Sequence, residues 1–329
     1  MKLFSPVESH FISRQDSEHQ NSRIPYVVVD NFPQLGLITA LRFLEWVHDN
    51  PHGVISLPTG KTPEFFIRWT QYLLRNWNNK KGEKLLNEYG LHLPSKPNLS
   101  NLQFVQIDEF YPINPTQKNS FYNYVNEFYI KGFGLDSANA MLINANEILL
   151  YNNKTYEEIF PDLKVDLSLR YREAKTNRER CQKDSIFKID EWCARYEEKI
   201  RQKGGIGFFL GGIGPDGHIA FNIKGSDHFS TTRLIKTNFE TQAVAAGDLG
   251  GIDISKNRLV ITISLHTITY NPEAVAIIFG AGEAKAEVVK NALENEPTNQ
   301  YPGSVLQKLK NNRQLTPPLS LALSRGEKK

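Results

Sequence analysis

A carboxylate and an imidazole stand two residues apart in the run Gly211-Gly212-Ile213-Gly214-Pro215-Asp216-Gly217-His218-Ile219-Ala220-Phe221-Asn222. Histidine titrates nearest neutral pH, so Asp216 and His218 read as a pair presented by a glycine-lined loop for proton transfer on a small substrate. Positions 212, 214 and 217 also satisfy G-x-G-x-x-G, the dinucleotide fingerprint. Against that reading, Asp216 would set a carboxylate against the pyrophosphate, and Pro215 removes an N–H that should contact it. Asp-x-His supplies two metal ligands, and two do not make a site. A histidine serving only the local structure is the plain alternative.

Three other segments carry chemistry-bearing residues. Asp108-Glu109 follows the apolar run Phe104-Val105-Gln106-Ile107. Burial of an unpaired charge is expensive, so one of these carboxylates facing a cleft would serve as a general base, or both would hold a metal. Two exposed loop charges are the competing view. In Leu57-Pro58-Thr59-Gly60-Lys61-Thr62-Pro63, Thr62 reads as an N-cap and Pro63 as the first helical residue. Backbone N–H groups, a helix N-terminus and Lys61 together make an anion site, most naturally for phosphate. The Gly-Lys-Thr is not a nucleotide P-loop, because position 55 is Ile where that motif needs Gly. The last segment, Gly280-Ala281-Gly282-Glu283-Ala284-Lys285, is a strand-to-helix turn where Lys285 would donate to a phosphate.

These segments need elements to hold them. Gly53 to Leu57, Phe104 to Ile107, Ile206 to Leu210, Leu259 to Ile263, Ala274 to Phe279 and Leu319 to Leu323 read as strands. Leu37, Ile38, Leu41 and Leu44 share one helical face, and further helices are expected over Ile186 to Ile200 and about Ala284 to Glu294. Buried runs alternating with helices predict an α/β fold. The expected form is a doubly wound, Rossmann-like, mostly parallel sheet with helices on both faces, in a single domain spanning 1–329. In such sheets ligands bind beyond the carboxyl ends of the strands, where the four segments lie. The stretch from about Asn144 to Asp184 breaks the rhythm: it is polar, rich in Arg and Lys from Lys164 to Lys183, and reads as a partly helical surface insertion. A solvated helical face is favoured over a basic binding patch.

Composition narrows the partners. Thirty-nine Lys and Arg against 36 Asp and Glu give a net charge of +3, which leaves no attractive field for nucleic acid or an acidic membrane. No run approaches the 18 or so apolar residues of a membrane span. The N-terminal segment lacks a signal-like apolar core, and Cys181 and Cys193 cannot frame disulfides or a zinc knuckle. A cytoplasmic setting is expected.

Taken together and in this order, the segments resemble the glucosamine-6-phosphate isomerase/deaminase family, whose wider fold group includes the 6-phosphogluconolactonases. The likeness runs from about Val54 to Gln307, interrupted by the polar insertion. It rests on residues 57–63, Ile107 to Phe110 with Ser120-Phe121-Tyr122, Trp192 to Ile200 and Gly211 to Asn222; Arg233, the Lys285 turn and Tyr301 to Gln307 match loosely. The resemblance implies a reaction that opens the ring of an aldosamine 6-phosphate, moves a proton from C2 to C1 and expels ammonia, with no metal or organic cofactor. Carried over by motif, Asp108 is the base at C2, His218 moves the ring-opening proton and Asp216 supports that step. Thr59, Gly60, Thr62 and Lys285 hold the phosphate, and Lys61 adds a cation where the family usually has a small residue. At two places the chain departs from the pattern. Where the family has a Glu that holds the histidine, Asn222 is followed by Ile223, and the stretch Thr241 to Asp248 lacks the family's phosphate-binding Arg. The expected partner is a small-molecule sugar phosphate, with homo-oligomerisation left open. Two other readings stand beside this one: a lactonase-like hydrolase in which His218 activates water, and a sugar-phosphate-binding protein with impaired catalysis.

Overall fold

The computed structural model of the chain describes residues 5–12, 22–249, 251–280 and 285–316. Seven strands form one wholly parallel sheet: β1 (Tyr26–Val28), β2 (Val54–Ser56), β3 (Gln103–Val105), β5 (Ala140–Met141), β6 (Phe208–Gly212), β9 (Val275–Phe279) and β10 (Asn311–Thr316). Their order is β1-β10-β9-β6-β2-β3-β5. From β2 the chain winds outward through β3 to β5; from β6 it winds the other way through β9 to β10. The winding reverses between β2 and β6, and that gap is where an open α/β sheet forms its crevice. A separate antiparallel sheet, β4-β8-β7, is built from β4 (Asp108–Tyr111), β7 (Arg233–Lys236) and β8 (Leu259–Thr262).

The sheet is apolar on both faces because its strands are apolar at successive positions, and successive side chains point opposite ways. Ile55, Phe104, Phe208, Leu210, Val275 and Ile277 enter one core with the helices Phe32–Asp49 and Glu64–Asn76. Val54, Val105, Phe209, Ala276 and Ile278 enter the other, with the long helix Asn177–Gln202 and the helix Ala286–Glu294. The first pair of helices packs closely because Gly36 carries no Cβ: one built there would lie 2.5 Å from the Phe65 backbone. A third, smaller cluster of Phe110, Ile113, Phe221, Ala245, Leu249 and Val260 lies over the antiparallel sheet.

Several elements differ from the sequence expectation. Asp108-Glu109 does not end a strand but begins β4, which pairs with β8 from Asp108↔Thr262 to Tyr111↔Leu259. The strand expected at Leu319 to Leu323 lies outside the described residues, and β10 occupies the place beside β9. The helix expected from Ile186 begins at Asn177, nine residues earlier, because Thr176 caps it by accepting from the Glu179 N–H at 3.1 Å. Pro63 is the N-cap of the helix Glu64–Asn76 and no side chain caps it, so Thr62 stands one residue outside the position expected. The 144–184 stretch is not only surface: Ile148, Leu150, Tyr156, Ile159, Phe160 and Leu169 are buried in the core beneath the long helix. Its arginines are largely paired, Arg170 with Asp190, Arg172 with Asp166 and Glu179, Arg178 with Asp162. Among the described residues no helix is long and apolar enough to cross a membrane.

Candidate active site

The turn after β2, the loop after β6 and Lys285 after β9 all lie at the carboxyl edge of adjacent strands. Beyond β2, Gly60 adopts φ +85°, a conformation costly for any residue with a Cβ. Two tyrosines pin this turn from below: the Tyr129 hydroxyl donates to Pro58 O at 2.5 Å and the Tyr124 hydroxyl to Gly60 O at 2.9 Å. With those carbonyls bonded, the turn presents Thr59, half-buried, and Gly60, Lys61 and Thr62, exposed. Thr62 also adjoins the second loop, since a Cβ on Gly212 would lie 3.7 Å from its methyl group. Lys285 is the N-cap of the helix Ala286–Glu294; burial lowers its pKa and the charge of Asp216 acts the other way. Residues 281–284 of its turn lie outside the described residues.

In the loop after β6, His218 Nδ1 lies 2.5 Å from Asp216 Oδ1. An ionised carboxylate only accepts, so Nδ1 is the donor and Nε2 is left for a substrate. Asp216 stays ionised: burial works to raise its pKa, but the hydrogen bond and charge of His218, aided by Asn238, hold it below the ordinary carboxylate value. The imidazole has two close neighbours. Phe221 stacks on it with centroids 6.0 Å apart at 14°, and Gly214 lies so close that a Cβ there would sit 2.2 Å from the ring. Asn222 is a structural member of the loop. Its amide donates to Ile219 O and Ile263 O at 3.0 Å, and its oxygen accepts from the Ser264 hydroxyl at 2.8 Å.

Asp108 and Glu109 point to opposite faces of β4, and their surroundings differ as sharply. Glu109, 1% exposed, accepts four hydrogen bonds at 2.7–3.1 Å, from the Phe110, Phe121 and Tyr122 N–H groups and the Ser120 hydroxyl. It thus anchors the N-terminus of the short helix Phe121–Val125. Burial still pushes its pKa up to about 7, against those bonds. Among the described residues no group donates to the Asp108 carboxyl; Gln106 donates instead to the Asp108 backbone oxygen at 2.8 Å. Burial first and the neighbouring Glu109 second raise the Asp108 pKa well above its ordinary value. A carboxyl group held this way is a stronger base than one in water once ionised. It is tied to the histidine loop through β8: its register partner Thr262 accepts from Phe221 N at 3.2 Å, and Phe110, two residues on, packs on Phe221 at 5.7 Å.

Sequence reasoning did not find Asn238. Its amide donates to Asp216 Oδ2 at 2.5 Å while its oxygen accepts from the Thr241 N–H at 3.1 Å. It lies 22 residues from Asp216, and only its N-cap type before the helix Phe239–Leu249 marked it. Among the described residues no group of three His, Cys, Asp or Glu side chains is gathered to hold a metal ion.

No sequence-family profile matches the chain. Over 120 residues, 36% of its length, it is 37% identical to a glucosamine-6-phosphate isomerase of Candida albicans, of which the match covers 48%. The same length is 41% identical to a glucosamine-6-phosphate deaminase of Bacteroides thetaiotaomicron, covering 43% of that protein. The match therefore spans a little under half the length of these relatives. Among solved structures, a monomeric glucosamine-6-phosphate deaminase superimposes with a TM-score of 0.68 at 21% identity, over 91% of this chain and all of the other. The fold is that of this deaminase. A 6-phosphogluconolactonase from Leishmania guyanensis shares it, with a TM-score of 0.56 at 16% identity over 93% of this chain and 99% of the other. The doubly wound parallel sheet expected from the sequence is thus the fold of both enzyme types.

Proposed function

We propose that the chain is a sugar 6-phosphate isomerase/deaminase, converting glucosamine 6-phosphate to fructose 6-phosphate and ammonia. The observation that carries this reading is a pair of differently poised groups linked through β8 and Phe221: a buried Asp108 carboxyl with no donor among the described residues, and a His218 whose Nδ1 is held by Asp216. Deamination by this route needs two proton transfers of different kinds. His218 Nε2 takes the proton of the ring hydroxyl and returns it as the ring opens. Asp108 then removes the C2 proton and delivers it to C1, which converts the amino aldose to the C2 imine of the ketose, and water hydrolyses that imine to the ketone and ammonia. A raised carboxyl pKa suits removal of a weakly acidic C–H proton, because basicity rises with the pKa of the conjugate acid.

Thr59, Gly60, Lys61 and Thr62, with Lys285, supply the phosphate site. The exposed turn at Gly60 leads into the N-terminus of the Glu64–Asn76 helix, and Lys285 brings a cation to the N-terminus of the Ala286–Glu294 helix, both ends that favour an anion. Identity of 37–41% over 120 residues to proteins named glucosamine-6-phosphate isomerase or deaminase supports deamination.

The lactonase reading keeps one specific support: an Asp-held histidine is equally suited to deprotonate water, and that reaction has no use for Asp108. Incubation with glucosamine 6-phosphate and with 6-phosphogluconolactone separates the readings. Ammonia release that disappears in Asp108→Asn supports the deaminase. Lactone hydrolysis that survives Asp108→Asn and is lost in His218→Gln overturns it. Sugar-phosphate binding without turnover of either compound would instead leave an impaired binding protein.

A further inference from the structure

We propose that Asn238 is a positioning residue for His218, acting through Asp216. The inference goes beyond the assignment of the reaction and rests on that reading only in taking His218 as the group that meets substrate.

The freedom that matters is rotation of the imidazole about its Cβ–Cγ bond, with the Gly214 backbone close against the ring and the Phe221 ring stacked 6.0 Å away. A half-turn would exchange the nitrogen edges and carry the Nδ1 proton away from Asp216. The bond from Nδ1 to Asp216 Oδ1 selects between the two orientations, and that bond holds only while the carboxylate keeps its own orientation. Asp216 lies in a turn between the exposed Pro215 and Gly217, which has φ +84°, and the loop's own contribution to holding the carboxylate is the Asp216 backbone N–H. The side-chain donor from outside the loop is Asn238 Nδ2, which holds the second oxygen.

The orientation of the Asn238 amide is dictated by its neighbours. The Thr241 N–H can only donate, so the amide oxygen must face it, and the carboxylate can only accept, so the NH2 must face Asp216. One uncharged side chain thus caps the helix Phe239–Leu249 and fixes the catalytic carboxylate, without adding a charge that would compete for the imidazole. The position next to Asn222, where the resembling family places its histidine-holding Glu, is taken here by Ile223. The support for His218 comes instead from Asp216, backed by the segment following β7.

The test separates the cap from the donation. Ser and Asp cap helices about as well as Asn, but Ser is too short to reach Asp216 and Asp replaces the donor by an acceptor. In the full-length protein without substrate, 15N NMR of the imidazoles follows His218, assigned by loss of its signals in His218→Gln. The wild type is expected to show a slowly exchanging Nδ1 proton and the Nδ1–H tautomer. Asn238→Ser should speed that exchange and mix the tautomers, and Asn238→Asp should do so more strongly, while both unfold at nearly the wild-type temperature. With substrate, kcat should fall about tenfold in Asn238→Ser, the loss of one hydrogen bond to a charged group, with KM little changed. An Asn238→Ser protein with wild-type Nδ1 exchange and tautomer overturns the proposal, as does equal behaviour of the Ser and Asp variants, which a pure cap predicts. The NMR readout needs no substrate. If the wild type fails to turn over glucosamine 6-phosphate yet Asn238→Ser frees the Nδ1 proton, the reaction assignment falls and the positioning role stands.

Discussion

Asp108 opens strand β4 with no donor to its carboxyl group among the described residues, whereas Asp216 sits in the loop after β6 with a donor on each oxygen. Both are aspartates, and both are largely buried. Donors decide what burial does: without them it raises the Asp108 pKa well above the ordinary value, and with them Asp216 ends below it. The first arrangement makes a base, the second a fixed negative charge that orients a histidine. Glu109 marks the intermediate case, with four donors and nearly complete exclusion of water, and its pKa of about 7 shows burial outweighing the donors.

The harshest way to break the comparison is to remove the basicity of Asp108 and keep its shape. Asp108→Asn should cut C2 proton exchange with solvent deuterium by a factor of about 10²–10⁴, the usual contribution of a positioned acid or base. Exchange at the wild-type rate would show that the undonated carboxyl is not the base. The same variant should be more stable than the wild type at pH 8. A carboxyl whose folded pKa is raised stabilises fully below its unfolded pKa and loses that contribution as pH rises through its folded value, so the wild type carries a cost that Asn lacks. Denaturant melts at pH 5 and pH 8 check the sign.

Gly214→Ala attacks the other side. A Cβ there would sit 2.2–2.6 Å from three atoms of the His218 ring, so the imidazole must move while every titrating group is kept. A displacement near 1 Å costs on the order of 100-fold. A variant that is folded by circular dichroism and retains more than half of wild-type kcat would show that the confinement of the ring is irrelevant.

How far the sequence revealed this arrangement depends on the range of the interactions involved. The alternation of buried strand residues, the helix faces and the glycine-rich loop are local patterns, and they suffice for the parallel sheet and for the positions of Asp216 and His218. The role of Asp108 is only half legible: its type and place mark it, but its freedom from donors depends on Glu109 taking the Phe121–Val125 helix end on the opposite face. The separate antiparallel sheet was not legible, because β4 pairs with β8 some 150 residues away in a register no local pattern encodes. Asn238 was hidden for the same reason. The first nine residues of the long helix were missed because NRERCQKDS has no apolar period, although the Thr176 and Glu179 capping pair was present.

Glu109→Gln tests the intermediate case with a moderate effect. The new amide must turn its NH2 toward one pair of donors, either Phe110 and Phe121 N–H or Ser120 Oγ and Tyr122 N–H, leaving at least one backbone N–H without its acceptor, since the Ser120 hydroxyl can also accept. Unsatisfied buried groups cost about 1–3 kcal/mol. The loss should be largest near pH 4.5 and shrink toward pH 8, since the wild-type contribution declines as Glu109 ionises through about 7. Urea melts giving a gap that widens with pH would overturn this account of Glu109.

Ile223→Glu should have the smallest effect and is the sharpest probe of how His218 is held. Ile223 is half-buried immediately after Asn222, where a Glu would restore a carboxylate beside the histidine loop. If Nδ1 were without a partner, that carboxylate would orient the ring and raise the rate of ring opening markedly. Here Nδ1 already donates to Asp216, and an imidazole nitrogen bearing one proton has one bond to give. The added group therefore has only the charged imidazolium to stabilise. At a half-exposed position that interaction is worth a few tenths of a kcal/mol, within about threefold in rate. A tenfold or greater gain in ring opening, followed by the enzyme-dependent interconversion of the α and β anomers, would mean that Asp216 does not hold His218 in solution, and the contrast between the two aspartates would collapse.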